Sequence, residues 1–207
     1  MRKIDPERQQ SKRQHILDAA IRCFTRNGFH QTRTAEICRE ANMSPGNLFH
    51  YFDSKEALIA AVVVEGPDEL STLLERACSA PDLFVALLEA IDQQLDLLTE
   101  PAYTRLALEI IAEAVRNPAV FAAVSAHEAR KKAALVHLLQ TGVERRHITL
   151  STPAQRAADW ILLLLDGAFG RAMVEAAFNL SSYRTLVRSS LTHVIAPATA
   201  TPAGTSA

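Results

Sequence analysis

The sequence predicts an all-α protein in which a small N-terminal head of three helices precedes a larger helical body, with about nine helices in total. Three observations favour this class. Apolar residues recur at helical spacing along nearly the whole chain, and no convincing run alternates as a β-strand does. Only 7 of the 207 residues are glycine, which disfavours glycine-rich and propeller-like architectures. Hydrophobic residues make up 48%, which excludes a mainly disordered chain.

The first two helices are predicted from one apolar stripe and one stop signal. The stripe runs through residues 11–27, and Gly28 then supplies the left-handed turn that ends a helix. A second short helix begins at Thr32 or Arg33. Phe24, together with Leu48 and Phe52 further along, is expected to form the small core that fixes the angles between the helices of the head.

The next two helices are predicted from their caps. Ser44 is placed to cap a third helix, and Pro45 fits its first turn. A fourth helix begins at Lys55. Pro67 cannot donate a backbone hydrogen bond and Gly66 loosens the chain before it, so we expect the fourth helix to break or kink near residues 65–67.

Proline and cap positions also delimit the helices of the body. These helices are predicted at about residues 81–99, 101–117, 118–140, 151–179 and 181–197. We therefore divide the chain into a head (1–55), a body (56–196) and a disordered tail (197–207) that lacks periodicity.

Charge and cysteine content narrow the function classes. Residues 1–55 hold ten Lys and Arg against six Asp and Glu, a net +4, whereas the remainder carries −5. A basic head on an acidic body indicates that only the head meets a polyanion. Cys23, Cys38 and Cys78 lack metal-site spacing and are expected to be reduced core thiols. The N-terminus is polar and the apolar runs are too short for a membrane span, so we expect a cytoplasmic protein that does not contact membranes.

Two short helices around the break at residues 41–44 give the outline of a helix-turn-helix. The surrounding residues are more specific than the outline. They are Gly28-Phe29, then Thr32-Arg33-Thr34-Ala35-Glu36-Ile37, then Ala41-Asn42-Met43-Ser44-Pro45-Gly46-Asn47-Leu48-Phe49-His50-Tyr51-Phe52, then Ser54-Lys55-Glu56-Ala57-Leu58. Over about residues 11–60 the sequence resembles the DNA-binding domain of the tetracycline-repressor (TetR) family. The resemblance implies a homodimeric repressor that binds a palindromic operator in double-stranded DNA and is released by a small-molecule effector.

The residues of this segment have chemistry that suits DNA. Thr32 and Thr34 offer hydroxyls near the start of a helix, where a phosphate oxygen binds, although either could be only an N-cap. Gly46 lets the backbone approach DNA without a Cβ, and Lys55 can pair with a phosphate. The predicted DNA-binding residues are Thr32, Arg33, Thr34, Ser44, Pro45, Gly46, Asn47, Phe49, His50, Tyr51 and Lys55.

Two positions depart from the family pattern. Pro45 stands where many members have a lysine, and Phe49 stands where many have a tyrosine that reaches a phosphate. Each departure removes a polar contact. A basic N-terminal arm either compensates for this loss or is a solvated leader, and it contains Arg2, Lys3, Arg8, Lys12 and Arg13.

The resemblance implies that the body binds the effector. Glu109 and Glu113 lie four residues apart on one helix face, where they could meet a cationic ligand or a metal with His127, although such a pair is more often a solvated face. The candidate ligand-binding residues are Leu87, Ile91, Leu95, Leu106, Glu109, Ile110, Glu113, Phe121, Val124, His127 and Trp160.

The last two predicted helices have material for a dimer interface. The run from Trp160 to Leu165 is apolar all round, so at least two of its faces need cover. We expect these helices to pair with their symmetry mates in a four-helix interface, the alternative being a core within one chain. The candidate interface residues are Leu163, Gly167, Gly170, Val174, Leu186 and Leu191.

Two other functions stay open at this point. One is a helical-bundle enzyme that uses Glu109, Glu113 and His127, and the other is a DNA-binding protein without an effector. No HExxH sequence, glycine-rich phosphate loop or nucleophile motif supports an enzyme, so we expect no catalytic residues, no cofactor and no metal.

Overall fold

The computed structural model describes residues 6–66 and 68–198. Ten α-helices provide most of the regular structure in this part of the chain, which confirms the all-α class. They are α1 (Pro6–Gln31), α2 (Thr34–Glu40), α3 (Pro45–Tyr51), α4 (Lys55–Glu65), α5 (Glu69–Ala77), α6 (Leu83–Asp96), α7 (Pro101–Ala114), α8 (Pro118–Glu144), α9 (Ala154–Val174) and α10 (Leu180–Leu191). A short 3₁₀ helix covers Leu97–Thr99.

The helix signals of the head are confirmed. Gly28 interrupts α1 with φ 74° and ψ 168°, outside helical geometry. The side chain of Ser44 accepts a hydrogen bond from the backbone N–H of Asn47 at 3.3 Å and caps α3. The predicted core residues Phe24, Leu48 and Phe52 are all buried.

The fourth helix breaks where the sequence predicted. α4 ends at Glu65, and a Cβ on Gly66 would lie 2.2 Å from the Val62 carbonyl oxygen, so the chain leaves the helix along a path that suits glycine. Asp68 then caps α5 by accepting a hydrogen bond from Ser71 N–H at 3.1 Å. This separate α5 raises the helix count above nine. Pro67 lies outside the described residues.

A small sheet corrects the expectation that no strand is present. β1 (Ile148–Leu150) pairs antiparallel with β2 (Ile195–Pro197), and Thr149 lies opposite Ala196. The ninth predicted helix therefore ends at Leu191 and not near Pro197. Three-residue strands are too short to produce a visible alternation, which is why the sequence pattern missed them. The predicted tail falls almost entirely outside the described residues.

The described chain forms two compact units, each with its own apolar core. The first contains residues 6–66 and 100–129, and the second contains residues 68–99 and 130–198. In the first unit α7 packs along α1. The thiols of Cys23, Cys38 and Cys78 are free, as expected, and burial raises the pKa of each. Among the described residues no helix combines the length and the apolar composition needed to cross a membrane.

We predict that Gly28→Ala destabilises the protein by about 1–3 kcal/mol. The positive φ strains any side chain, and the new Cβ would lie 2.8 Å from Oε1 of Glu109. Gly46→Ala is the matched control, because a Cβ there meets no atom within 4 Å. Chemical denaturation of both variants measures the difference. Equal stability of the two would show that the turn at Gly28 relaxes without cost.

Candidate nucleic-acid interface

α3 presents a surface that is mostly free of contacts with the rest of the chain. Pro45, Gly46, Phe49 and His50 are exposed, and the Phe49 side chain is 43% accessible to solvent. Leu48 points into the core and anchors the helix. The ring of His50 packs edge-on against its neighbour Tyr51, with centroids 5.3 Å apart. The exposed face therefore consists of small, aromatic and imidazole groups without a lysine or arginine.

The turn before α3 fixes how this helix is presented. α2 ends at Glu40, and Asn42 adopts a left-handed backbone with φ 50°. Asparagine tolerates this conformation better than most residues because its side chain bonds locally. Ser44 then begins α3 with its hydroxyl as the cap. The structure thus contains the predicted helix-turn-helix from α2 to α3.

The position of Thr32 does not fit its predicted role as a phosphate ligand. It is only 1% exposed, and its hydroxyl donates to Gly28 O at 2.7 Å and approaches Cys23 O at 3.2 Å. The hydroxyl therefore ties the end of α1 together and does not face DNA. Arg33 is exposed, and Thr34 is half-buried as the first residue of α2, so these two remain candidates.

Lys55 lies at the first position of α4, beside the end of α1. Its Nζ is 3.4 Å from the carbonyl oxygen of His30, while Ser54 caps the helix through Ala57 N–H at 3.0 Å. Lys55 is half-buried as a residue, and its ammonium group is exposed at the surface of the head. It remains placed to serve as a point charge for a phosphate.

Arg13 is not part of a loose basic arm. Its Nε donates to Glu65 Oε2 at 2.7 Å, its Nη1 donates to Tyr51 O at 3.1 Å, and its guanidinium lies 4.2 Å from the centre of the Phe52 ring. Arg8 and Lys12 are exposed on α1, as an arm would require. Arg2 and Lys3 lie outside the described residues.

The two glutamates predicted to bind a ligand instead contact the end of α1. Glu109 Oε2 accepts a hydrogen bond from the backbone N–H of Phe29 at 2.7 Å. Gly28 makes this contact possible because a Cβ would crowd the carboxylate. Four residues on, the Glu113 side chain is 11% exposed and lies 3.6 Å from His30 Nε2. Both carboxylates therefore have partners within the first unit, and their role in binding a ligand stays a prediction.

Two arginines add to this attachment of α7. Arg105 Nη1 donates to Thr25 O at 3.3 Å, and Arg116 Nη2 lies 2.8 Å from His30 Nε2. The same Arg116 nitrogen is 3.4 Å from Glu113 Oε2. The sequence contained no signal for the two contacts with α1, because Arg105 and Arg116 are 80 and 86 residues away from their partners Thr25 and His30.

The other predicted ligand residues fall into both units. Leu87, Ile91 and Leu95 are fully buried in the core of the second unit, which is the role of ordinary packing residues. Trp160, also in that unit, is 38% exposed and its Nε1 lies 3.4 Å from Ser190 O.

The remaining candidates belong to the first unit, and their burial differs. Leu106, Ile110 and Val124 are half-buried against its core, Phe121 is 60% exposed, and His127 is half-buried. The described residues contain no group of three or more His, Cys, Asp or Glu side chains that could hold a metal ion.

The predicted dimer residues form an exposed strip on α9. Leu163 and Val174 are 61% and 73% exposed, and a Cβ on Gly167 or Gly170 would meet nothing within 4 Å. Leu186 on α10 is also exposed, at 56%. Leu191 is the exception: it is 2% exposed and packs in the core of its own unit, so its assignment to an interface is wrong.

Two family descriptions match the chain in agreement with this geometry. Residues 16–62 match the tetR family of bacterial regulatory proteins. Residues 86–196 match the C-terminal domain of BetI-type transcriptional repressors. The first match contains the helix-turn-helix, and the second contains α7 together with the exposed strip on α9.

Individual proteins agree with these descriptions. The HTH-type transcriptional regulator UidR of Escherichia coli (strain K12) is 36% identical over 115 residues, which are 55% of this chain and 57% of UidR. The chain thus spans a little more than half the length of this curated relative. The structure of Salmonella enterica GusR is 30% identical, with a TM-score of 0.70 over 93% of this chain and 98% of GusR.

A third protein shares the fold at lower identity. Bacillus subtilis FadR, a transcriptional regulator solved in complex with stearoyl-CoA, is 19% identical, with a TM-score of 0.68 over 86% of this chain and 96% of FadR. UidR and FadR are both described as transcriptional regulators. Since the repressor-type match alone covers more than half of the sequence and the helix-turn-helix stands where the other match requires it, the chain belongs to the TetR family of bacterial transcriptional regulators.

Proposed function

We propose that this protein is a homodimeric, ligand-responsive repressor that binds a palindromic DNA operator through α3. The observation that carries the proposal is the exposed face of a short, capped α3 at the second position of a helix-turn-helix. In this motif the second helix enters the major groove with its N-terminal residues near the base edges. Pro45, Gly46 and Asn47 occupy that end of α3. A cytoplasmic location stays a prediction that follows from the DNA partner.

The side chains of α3 indicate how bases are read. The Asn47 amide can bond an adenine edge, and the exposed Phe49 ring suits a thymine methyl group. Because α3 has no lysine or arginine, phosphate contacts come from residues outside it. Arg33, Thr34 and Lys55 supply this chemistry, and they flank α3 in sequence on both sides.

Selection from a random duplex library with the full-length wild-type protein tests this function. We expect an enriched palindrome whose half-sites are about one helical turn apart, since a dimer places two recognition helices on one face of DNA. A labelled duplex of the enriched sequence then measures affinity by fluorescence anisotropy. Recovery of unenriched sequence from repeated selections would refute specific recognition.

Gly46→Ala is expected to weaken binding of that duplex by about tenfold while leaving thermal stability unchanged or higher. The protein itself leaves room for a methyl group at this position, so any loss reflects crowding against DNA. Ala35→Gly is a matched control: Ala35 is an exposed residue in α2, and this change removes a methyl group where Gly46→Ala adds one. Unaltered affinity of Gly46→Ala would exclude a close backbone approach at Gly46.

The exposed strip on α9 supports the homodimer. Leu163, Gly167, Gly170 and Val174 follow one another at spacings of three and four residues, so they lie along one side of the helix. An apolar seam of this spacing is typical of helices that pack along each other. The two glycines at its centre allow a close crossing.

Gly170→Leu is expected to shift the protein toward monomers, because a bulky side chain in a close crossing costs about 1–3 kcal/mol and is present twice in a symmetric pair. Light scattering at micromolar concentration measures the change in mass. Ala126→Leu adds the same bulk at an exposed position of α8 and is expected to leave the mass unaltered. A Gly170→Leu protein of wild-type mass would move the interface away from α9.

The link between α7 and α1 supports a response to an effector. α7 lies within residues that match the repressor-type domain, and Glu109, Glu113 and Arg105 join it to the end of α1. An effector that binds the DNA-free conformation more tightly than the DNA-binding one would shift the population toward the DNA-free conformation. The free energy of this shift cannot exceed the difference between the effector's binding free energies for the two conformations. Stearoyl-CoA in FadR shows that a protein of this fold accommodates a small molecule.

A further inference from the structure

One guanidinium group joins the ends of two helices of the first unit. Arg13 projects from α1, and its Nη1 donates to the carbonyl oxygen of Tyr51, the last residue of α3, at 3.1 Å. Its Nε and Nη2 donate to the two carboxylate oxygens of Glu65, the last residue of α4, at 2.7 and 2.5 Å. The final turns of α3 and α4 are therefore held by a single side chain.

The geometry of this contact is more demanding than that of an ordinary surface ion pair. The guanidinium donates two parallel hydrogen bonds, from Nε and Nη2, to the two carboxylate oxygens of Glu65. It also packs on the Phe52 ring, 4.2 Å from the ring centre. The side chains of Arg13 and Glu65 are 30% and 27% exposed, so water screens the pair only in part. The hydrogen bond to Glu65 raises the pKa of Arg13, in keeping with a stable charged pair.

The bonded groups lie at two functional positions. The Tyr51 carbonyl ends the helix that the proposed function places in the major groove. Glu65 is the last helical residue before the break at Gly66, and the second compact unit begins at Asp68. A displacement of the end of α4 would thus act on Arg13, and through it on the end of α3.

We propose that Arg13 and Glu65 are positioning residues for operator binding, which set the orientation of α3 through the bond from Arg13 to the Tyr51 carbonyl. This inference rests on the proposed function, since it assigns the pair to the presentation of the recognition helix. Neither residue needs to touch DNA. Glu65 contributes although its negative charge by itself opposes the approach of a polyanion.

The sign of the Glu65 effect separates this role from a direct phosphate contact by Arg13. If Arg13 bound a phosphate, Glu65→Gln would free the guanidinium and remove a repelling charge, so binding would become tighter. If the pair positions α3, the same change makes binding weaker. Salt dependence gives a second distinction, because losing a phosphate contact lowers the slope of log affinity against log salt by about one.

The experiment measures affinity for the selected duplex with Glu65→Gln, Arg13→Gln and the double variant. We expect each single variant to bind roughly threefold to tenfold more weakly, at an unchanged salt slope. The double variant should bind the duplex no more weakly than the weaker-binding of the two single variants, because both changes break the same contact. Asp18→Asn is the matched control: it removes one exposed negative charge from α1 and is expected to leave affinity unaltered or slightly higher.

Two further measurements keep the outcome decisive. Glu65→Asp retains the charge and shortens the side chain, so it should weaken binding even if the glutamine variants fold poorly. Hydrogen exchange in the DNA-free protein should be faster at residues 49–52 of Glu65→Asp, a result that does not depend on operator binding. Tighter binding by Glu65→Gln, an additive double variant or wild-type exchange in Glu65→Asp would overturn the assignment. If the wild-type protein itself selects no duplex, the proposed function fails. The exchange result still tests whether the contact between Arg13 and Glu65 holds the end of α3.

Discussion

Gly28 departs from helical geometry at φ 74°, and the Glu109 carboxylate accepts a hydrogen bond from the backbone N–H of the next residue, Phe29. Leaving a buried N–H without an acceptor costs roughly 1–3 kcal/mol, so the carboxylate that α7 provides stabilises this turn. Two carbonyl oxygens at the same end of α1 also accept hydrogen bonds. Gly28 O accepts from the hydroxyl of Thr32, and His30 O accepts from the ammonium of Lys55. The segment before α2, the start of α4 and α7 therefore all contact the end of α1.

This arrangement places part of the repressor-type domain in the same compact unit as the helix-turn-helix. A change in α7 needs no long chain of contacts to reach the DNA-binding motif, because Glu109 and Arg105 bond directly to the backbone of α1. Backbone groups make suitable partners for such a link, since they move with the whole helix end and not as single rotamers.

The recognition helix shows the complementary constraint. α3 has seven residues and contains no lysine or arginine, so its side chains cannot form ion pairs with DNA phosphates through these residues. Its orientation depends on Leu48 in the core, on the Ser44 cap, and on the Arg13 contact at its last residue. A short helix of this kind works only if its neighbours determine its angle, which explains why polar contacts gather at both of its ends.

The sequence by itself determined the local structure. Gly28, the Ser44 cap and the break near Gly66 were predicted correctly because turn and cap preferences act within a few residues. The core positions of Phe24, Leu48 and Phe52 followed from helical spacing. Tertiary structure decided the polar partners: Arg13 bonds to the ends of α3 and α4, Thr32 is buried, and Glu109 and Glu113 contact the end of α1. It also decided that Leu191 belongs to the core of its own unit. Spacing places a side chain on a face of its helix, but only the packing of distant helices determines which donors and acceptors that face meets.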